Sequence, residues 1–330
     1  MRSTITKIAN YLPSTVVTST QIEEIVRNQG INIPRNILEQ KFGISERRYA
    51  DCNTQASDLA VGAAKKILQN IDKTTVDCLI FAAGSSDLIE PATANIVQAK
   101  LKLFCPTFDV KNACNSFVNA LQLADSLIKS GQYRKILIAT GEKLSSIIKL
   151  DLEDKKDLAN RFACLSMGDG GAAALIESSN DECGIYAQLF ESHGEHWELC
   201  TVPGGGSMHP HDGTKVYFEG KTKELRDIFL VKKDRIVERC LDQAKWQIED
   251  IDHFFMHHVS ESTFDLVAKS MNIKTHKFYN VIKKHGNMAS ASIPFAMSDA
   301  VDSGLLKKGD KIMLIGLAAG ISISIQLMIW

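Results

Sequence analysis

The chain has 330 residues, 45% of them hydrophobic. That is enough to bury a large core and too much for one simple sheet layer, so two domains or two fused halves are expected. Lysine plus arginine (38) nearly balance aspartate plus glutamate (39), and no basic run interleaved with aromatics occurs, which argues against nucleic acid as a partner. The eight cysteines show no CxxC pair or framework spacing, and no basic-then-apolar leader follows Met1, a pattern that fits free thiols in a reducing cytoplasm.

In chain order, residues 4–11 read as a first strand, and Ser19-Thr-Gln-Ile-Glu-Glu-Ile-Val opens a helix with a hydroxyl cap. Residues 41–48 read as a loop with clustered cations. A helix is expected from about residue 55 to 69, with Leu59, Ala60, Ala63, Ala64 and Leu68 on one face. Residues 76–84 form a continuous apolar run of strand length, as in a strand covered on both faces. The next helix begins near Pro91 and reaches about Leu101. A short strand then leads to Cys114, after which Phe117, Ala120, Leu121, Ala124, Leu127 and Ile128 recur at helical spacing until Gly131. Residues 135–141 read as another buried strand, and 166–177 as a glycine turn running into one more.

Residues 201–213 carry three consecutive glycines but lack the Lys-Ser/Thr of a P-loop and the spacing of a dinucleotide fingerprint, so they read as an irregular loop. His209, His211 and Asp212 lack a third ligand at fixed spacing, and His193 and His196 do not supply one, so no metal site is expected. A long helix follows from about Thr222 to Trp246, then a strand at 254–256. Residues 312–330 carry no charge and are long enough to cross a membrane. The period-two pattern of Ile321-Ser-Ile-Ser-Ile-Gln-Leu327, with Gly316 and Gly320 as interruptions, favours two buried strands around a glycine turn.

The second half repeats the plan of the first. Asp77 and Asp252 precede matching apolar runs (252 − 77 = 175), and Gly131 and Gly304 precede matching strands (304 − 131 = 173). The same offset pairs Cys114 with Asn287 (287 − 114 = 173), which makes them geometric twins at equivalent helix starts. The expected halves are 1–178, carrying the cysteine, and 179–330, carrying a histidine and Asn287.

At a helix N-terminus, free N–H groups and the positive end of the dipole favour thiolate over thiol, which would make Cys114 a nucleophile; a buried structural thiol is the other reading. A histidine after strand 254–256, His257 or His258, completes a set with Cys114 and Asn287. The thiolate takes an acyl group from a thioester, a helix-start N–H stabilises the oxyanion, and imidazole and carboxamide hold an enolate oxygen. This is Claisen chemistry.

With these residues placed, the chain resembles a β-ketoacyl synthase III-type condensing enzyme of the thiolase superfamily over nearly its whole length. The resemblance rests on Tyr11-Leu-Pro13, Phe42-Gly-Ile-Ser-Glu-Arg47, Asp109-Val-Lys-Asn-Ala-Cys114, Lys129-Ser-Gly131, Met167-Gly-Asp-Gly-Gly171, His257, Gly286-Asn287 and Gly320, in that order. It implies an α/β protein with two pseudo-symmetric thiolase-like halves in five αβαβα layers, a homodimer, and a Cys114–His257–Asn287 triad. It also implies oxyanion donors at Cys114 and Gly320, contacts to coenzyme A or an acyl carrier protein from Lys41 and Arg161, and no metal or separate cofactor.

Some positions depart from the family pattern. The family His-Gln-Ala-Asn reads His257-His258-Val259-Ser260, the basic residue usual two positions further on is Ser262, and no tryptophan lies in 28–40. Glu90, before Pro91, replaces a large apolar residue of the dimer-facing loop, which resembles the branch that joins two acyl chains head to head. In that branch a glutamate enters the partner's site as a base, needed because a plain acyl thioester must lose an α-proton whereas a malonyl donor loses CO₂. A surface carboxylate at a helix start is the other reading of Glu90. The sequence also leaves open an acyltransferase to an oxygen or nitrogen nucleophile, a 3-hydroxy-3-methylglutaryl-CoA synthase-like enzyme, and a non-enzymatic scaffold.

Overall fold

The computed structural model describes residues 2–257 and 259–330. Two sheets carry the architecture. The first draws on β1 (Arg2–Tyr11), β2 (Cys78–Ala82), β3 (Thr107–Val110), β4 (Lys135–Glu142) and β5 (Gly170–Ser179), with α1 (Ala56–Leu68), α2 (Thr93–Leu101) and α3 (Ser116–Lys129) between them in sequence. The second draws on β6 (Gly184–Ser192), β7 (His253–Met256), β8 (Lys311–Ala318) and β9 (Ser322–Ile329), with α4 (Thr222–Ala244), α5 (Glu261–Ser270) and α6 (Ser292–Asp302).

Strand order in the first sheet is β1-β5-β4-β2-β3, and in the second β6-β9-β8-β7, with Phe278 bridging Phe254 in parallel where a fifth strand would lie. In the first sheet β4, β2 and β3 run parallel, as β8 and β7 do in the second, while β5 and β9 run antiparallel to the strands on either side of them. The two sheets therefore share one topology.

Side-chain alternation along these strands sorts the core into layers. Ile80, Ile136, Ile138 and Ile176 of the first sheet, and Phe255, Ile312 and Leu314 of the second, point inward onto α3 and α6. Their neighbours Leu79, Phe81, Leu137 and Leu175 point outward onto α1 and α2. Phe254, Met256, Met313 and Ile315 do the same beneath α4 and α5. Because successive residues of a strand face opposite sides, an uninterrupted apolar run is what a sheet covered on both faces requires. The result is five layers, helices outside, sheets next, and α3 with α6 buried at the centre.

The uncharged C-terminal stretch is the hairpin β8–β9, paired from Lys311–Ile329 to Ala318–Ser322. No helix among the described residues is long and apolar enough to cross a membrane.

Two expectations need correction. Residues 41–48 are not a loop: a helix, Ile37–Phe42, ends at Gly43 in the left-handed region (φ 75°), and Glu46–Tyr49 pairs antiparallel with Thr15–Thr18. Elements of six and four residues are too short to show a period. Arg47, one of the clustered cations, is fully buried and donates to Ser19 Oγ and the Leu165 carbonyl.

The second correction concerns the internal twins. Ala113 and Ala289 both take left-handed backbone (φ 45° and 42°). Asn112 N–H donates to Ser116 Oγ (2.9 Å), as Met288 N–H donates to Ser292 Oγ (3.2 Å). Asn115 N–H donates to the Asn112 carbonyl as Ala291 N–H does to that of Met288. Each pair is offset by 176 (289 − 113, 288 − 112, 292 − 116, 291 − 115), as are the starts of β4 and β8 (311 − 135). Cys114 is thus the twin of Ser290, and Asn287 stands three residues earlier. The offset of 173 at Gly131 and Gly304 arises because α6 is three residues shorter than α3 (11 against 14) while the following connection is correspondingly longer.

Contact between β4 and α1 is closest at Gly141, where a Cβ would lie 2.0 Å from the Ala56 carbonyl oxygen and 2.8 Å from the Ala60 nitrogen. Backbone cannot yield as a side chain can. Gly141→Ala is expected to lower the urea midpoint by the equivalent of at least about 2 kcal/mol, whereas Gly213→Ala, with nothing within 4 Å of its Cβ, leaves the midpoint unchanged. Equal midpoints for the two variants would contradict this packing.

Candidate active site

The parallel strands of both sheets end on connections that carry the sequence-derived candidates. Glu90 lies in the connection after β2, Cys114 after β3, His257 directly after β7, and Gly320 in the turn after β8. Sites in open α/β sheets form at the carboxyl ends of strands, where connections diverge and leave backbone groups unpaired.

The left-handed turn at Ala113 sets Cys114 just before Asn115, the N-cap of α3. Cys114 keeps partial exposure although Asn115 to Val118 beside it are buried. Asn287 is held through its backbone along the segment just before β5, beside Met167: its N–H donates to the Ser166 carbonyl and its own carbonyl accepts from Gly168, both at 2.9 Å. Its side-chain Oδ1 accepts from Ala289 N–H (2.9 Å). With that oxygen committed, the carboxamide keeps its Nδ2 donors for a ligand. His257 continues the β7 ladder, its N–H donating to the Ile315 carbonyl (2.9 Å), and its side chain is buried against the Ala289 backbone. His257 Nδ1 is buried and makes no hydrogen bond among the described residues. His258 lies outside the described residues.

One residue that sequence reasoning missed ties these pieces together. Glu142, at the end of β4, is fully buried. Its Oε1 accepts from Gly84 N–H (2.8 Å) and Ser290 Oγ (2.5 Å), and its Oε2 from Ser85 N–H (2.9 Å) and Ser85 Oγ (2.7 Å). A charged residue ending a buried apolar strand was the signal available in the sequence. Through Ser290 it reaches the turn that holds Asn287 and His257; through Gly84 and Ser85 it holds the connection leading to Glu90; and its charge acts on Cys114. Cys114, and the turn that anchors His257 and Asn287, are thereby both tied to one buried carboxylate.

Similarity to known proteins agrees with this arrangement. The family description 3-oxoacyl-[acyl-carrier-protein (ACP)] synthase III matches residues 108–194, and its C-terminal part matches residues 241–330. A β-ketoacyl-[acyl-carrier-protein] synthase III of Fusobacterium nucleatum is 32% identical over 97% of this chain and 96% of its own. The chain belongs to the 3-oxoacyl-acyl carrier protein synthase III family. Among solved structures, the 3-oxoacyl-[acyl-carrier-protein] synthase III of Aquifex aeolicus superposes with a TM-score of 0.88 (28% identity, 99% of this chain and 100% of that one). OleA of Xanthomonas campestris superposes with 0.91 (28% identity, 100% and 99%). This synthase III-type protein has the thiolase fold and is an acyl-thioester condensing enzyme.

The electrostatics of the synthase site differ from the sequence expectation. Burial pushes the Cys114 thiol well above its ordinary pKa, and the Glu142 charge and the neighbouring Cys200 push it further. The helix start does not offset this loss of hydration, so the thiol, not the thiolate, is the resting form. Burial lowers His257 to about 4, with a smaller opposing contribution from the Ala289 backbone, so the imidazole is neutral at pH 7.

A cleft of about 490 Å³ is walled by Phe42, Phe162, Leu199, Glu219 and Lys223, and neither Lys41 nor Arg161 is among the residues that line it. Lys41 is exposed. Arg161 is 8% exposed and turned to protein, its Nε on Asp157 (2.7 Å) and one terminal nitrogen on Glu219 (2.8 Å). Glu90 is exposed, beside Leu88 and Ile89.

The neutral pair has a measurable pH signature. Alkylation of Cys114 by iodoacetamide in the free enzyme is expected to rise continuously through about pH 9, the thiol's ordinary range, without a plateau near neutrality; a plateau by about pH 7 would show a thiolate at rest. His257 has a folded pKa of about 4, below its ordinary 6.5. The stability it contributes is therefore present above about pH 6.5 and is lost as the pH falls toward 4. Condensation by the acylated enzyme should show no imidazole limb between about pH 6 and pH 8; a midpoint near 6.5 would contradict this assignment.

Proposed function

We propose that the enzyme works by ping-pong Claisen condensation. The Cys114 sulfur attacks an acyl thioester, its proton leaves with the coenzyme A or carrier-protein thiol, and the acyl group stays on the cysteine. A second thioester then forms an enolate by losing either CO₂ or an α-proton. Its α-carbon attacks the acyl carbon, a carbon–carbon bond forms, and Cys114 leaves and regains a proton. The observation that carries this reading is the neutral His257 beside Asn287, whose Oδ1 is fixed by Ala289. Two uncharged hydrogen-bonding groups suit a thioester oxygen that gains charge only in the transition state. Passing an acyl group to oxygen or nitrogen has no use for such an enolate-holding pair.

We further propose that the donor is a second acyl thioester and that Glu90, supplied by the partner protomer of a homodimer, is its base. Ile89 is 88% exposed and Leu88 53% exposed. Large apolar side chains presented beside a carboxylate suit a protein contact better than solvent. OleA of Xanthomonas campestris, similar over the whole chain, has been solved with bound lauric acid and lauroyl-CoA and with a glutamate substituted.

Mass spectrometry and product analysis test both parts. Cys114→Ala should carry no thioester after incubation with acyl-CoA; loading that persists would remove the cysteine from its role. His257→Ala should still load Cys114 while condensation falls by about a hundredfold or more. Glu90→Gln should spare loading and abolish condensation of two acyl thioesters, and mixing it with Cys114→Ala protomers should restore part of the activity. If wild type and Glu90→Gln condense malonyl donors equally fast, and neither joins two acyl thioesters, Glu90 is not a base and the enzyme is a decarboxylating synthase.

A further inference from the structure

The residue after the nucleophile, Asn115, has no part in the reaction above, yet its side chain is fully buried. Although it stands at the N-cap of α3, its side chain caps nothing. Instead Nδ2 crosses between the halves and donates to the Ser322 carbonyl (3.0 Å) and to Ser322 Oγ (2.8 Å). Ser322 opens β9, pairs with Ala318 across the turn, and follows Gly320 by two residues. Ser322 Oγ also reaches back to Asn112 Oδ1 (3.5 Å), so the contact joins the Cys114 turn to the Gly320 turn from both sides.

Room for this carboxamide comes at a cost. A Cβ on Gly316 would lie 2.1 Å from Asn115 Oδ1 and 2.1 Å from Ser324 Oγ. Both of those oxygens are buried without a hydrogen-bond partner among the described residues. An unpaired buried acceptor is destabilising, so an amide here is a poor choice for packing alone. The twin turn shows that the local fold does not need one. At the equivalent position, 176 residues on, stands Ala291, and that turn keeps the same backbone hydrogen bonds and left-handed residue.

We propose that Asn115 is a positioning residue of the oxyanion site: its two bonds to Ser322 fix the Gly320 turn against Cys114, so that the backbone N–H groups of both residues converge on the thioester oxygen. The inference rests on the acylation of Cys114 proposed above. Two donors on separate halves of the chain share an acceptor only if something sets their separation. A displacement near 1 Å in such a site costs roughly a hundredfold in rate.

Asn115→Ala and Ser322→Ala separate positioning from mere structure when two reactions of Cys114 are compared. Acylation by an acyl-CoA passes through a tetrahedral oxyanion; alkylation by iodoacetamide does not. Asn115→Ala is expected to slow acylation by about tenfold to a hundredfold while alkylation stays within about twofold of wild type. Ser322→Ala, which keeps the carbonyl acceptor, should show a smaller loss in the same direction. Wild-type acylation rates in both variants, or acylation and alkylation falling together, would overturn the proposal; if Asn115→Ala does not fold, Ser322→Ala alone decides. Absence of acyl loading on the wild type would instead overturn the acylation of Cys114 itself.

Discussion

A single carboxylate at the seam between the two halves holds the site in register. Glu142 is sealed from water and answered on both oxygens by Gly84, Ser85 and Ser290. A buried charge survives only with such a set of donors, and removing one member of a buried charged network typically costs about 3–5 kcal/mol. The donors come from the connection after β2 and from the turn before α6. Together with the Asn115–Ser322 contact, this meeting ties the half carrying Cys114 to the half carrying His257 and Asn287 by buried polar groups. Ser290 Oγ, whose one proton goes to Glu142, also lies 3.2 Å from the Ala82 carbonyl and 2.9 Å from Thr140 Oγ1, from which it can accept, so it meets both β2 and β4.

Burial, with the Glu142 charge adding to it at Cys114, explains why the resting site is uncharged. Near a fixed negative group and away from water, a thiolate has nothing to compensate it, and a buried imidazole loses more hydration on protonation than the neighbouring backbone returns. Both groups therefore rest in their neutral forms. On the acylation proposed above, the proton on Cys114 leaves as the thioester arrives, when the leaving thiol can take it. A thiol that ionises only then is also less open to stray electrophiles at neutral pH.

Much of the fold was legible because it is written in periods. Strand-length apolar runs gave β2, β4 and β8, and helical spacing after Cys114 gave α3 with the buried face Phe117, Ala120, Leu121, Ala124 and Ile128. What was not legible was either too short to be periodic, such as Ile37–Phe42 and Glu46–Tyr49, or written in three dimensions only. The offset of 173 came from glycines that lie after a helix of unequal length, while the turns before the helices obey 176. Nothing in the local sequence of Cys114 announces that the fold buries its thiol near the Glu142 charge, so the dipole argument at the helix start reached the wrong charge state. Asn115 escaped notice for the same reason, since its partner Ser322 is 207 residues away.

The two left-handed turns also show how a repeated fold comes to have a chemical direction. Cys114 and Ser290 occupy equivalent places, each following an alanine of the same backbone conformation and each leading into a central helix. One carries a thiol on a partly exposed residue; the other carries a hydroxyl already given to a carboxylate. A hydroxyl so engaged cannot serve as a second nucleophile, and a thiol there would leave the carboxylate short of a donor. Symmetry of the chain trace thus ends at the side chains: one corner carries the thiol proposed as nucleophile and its twin has become a brace, so only one of the two equivalent turns offers a group for acylation.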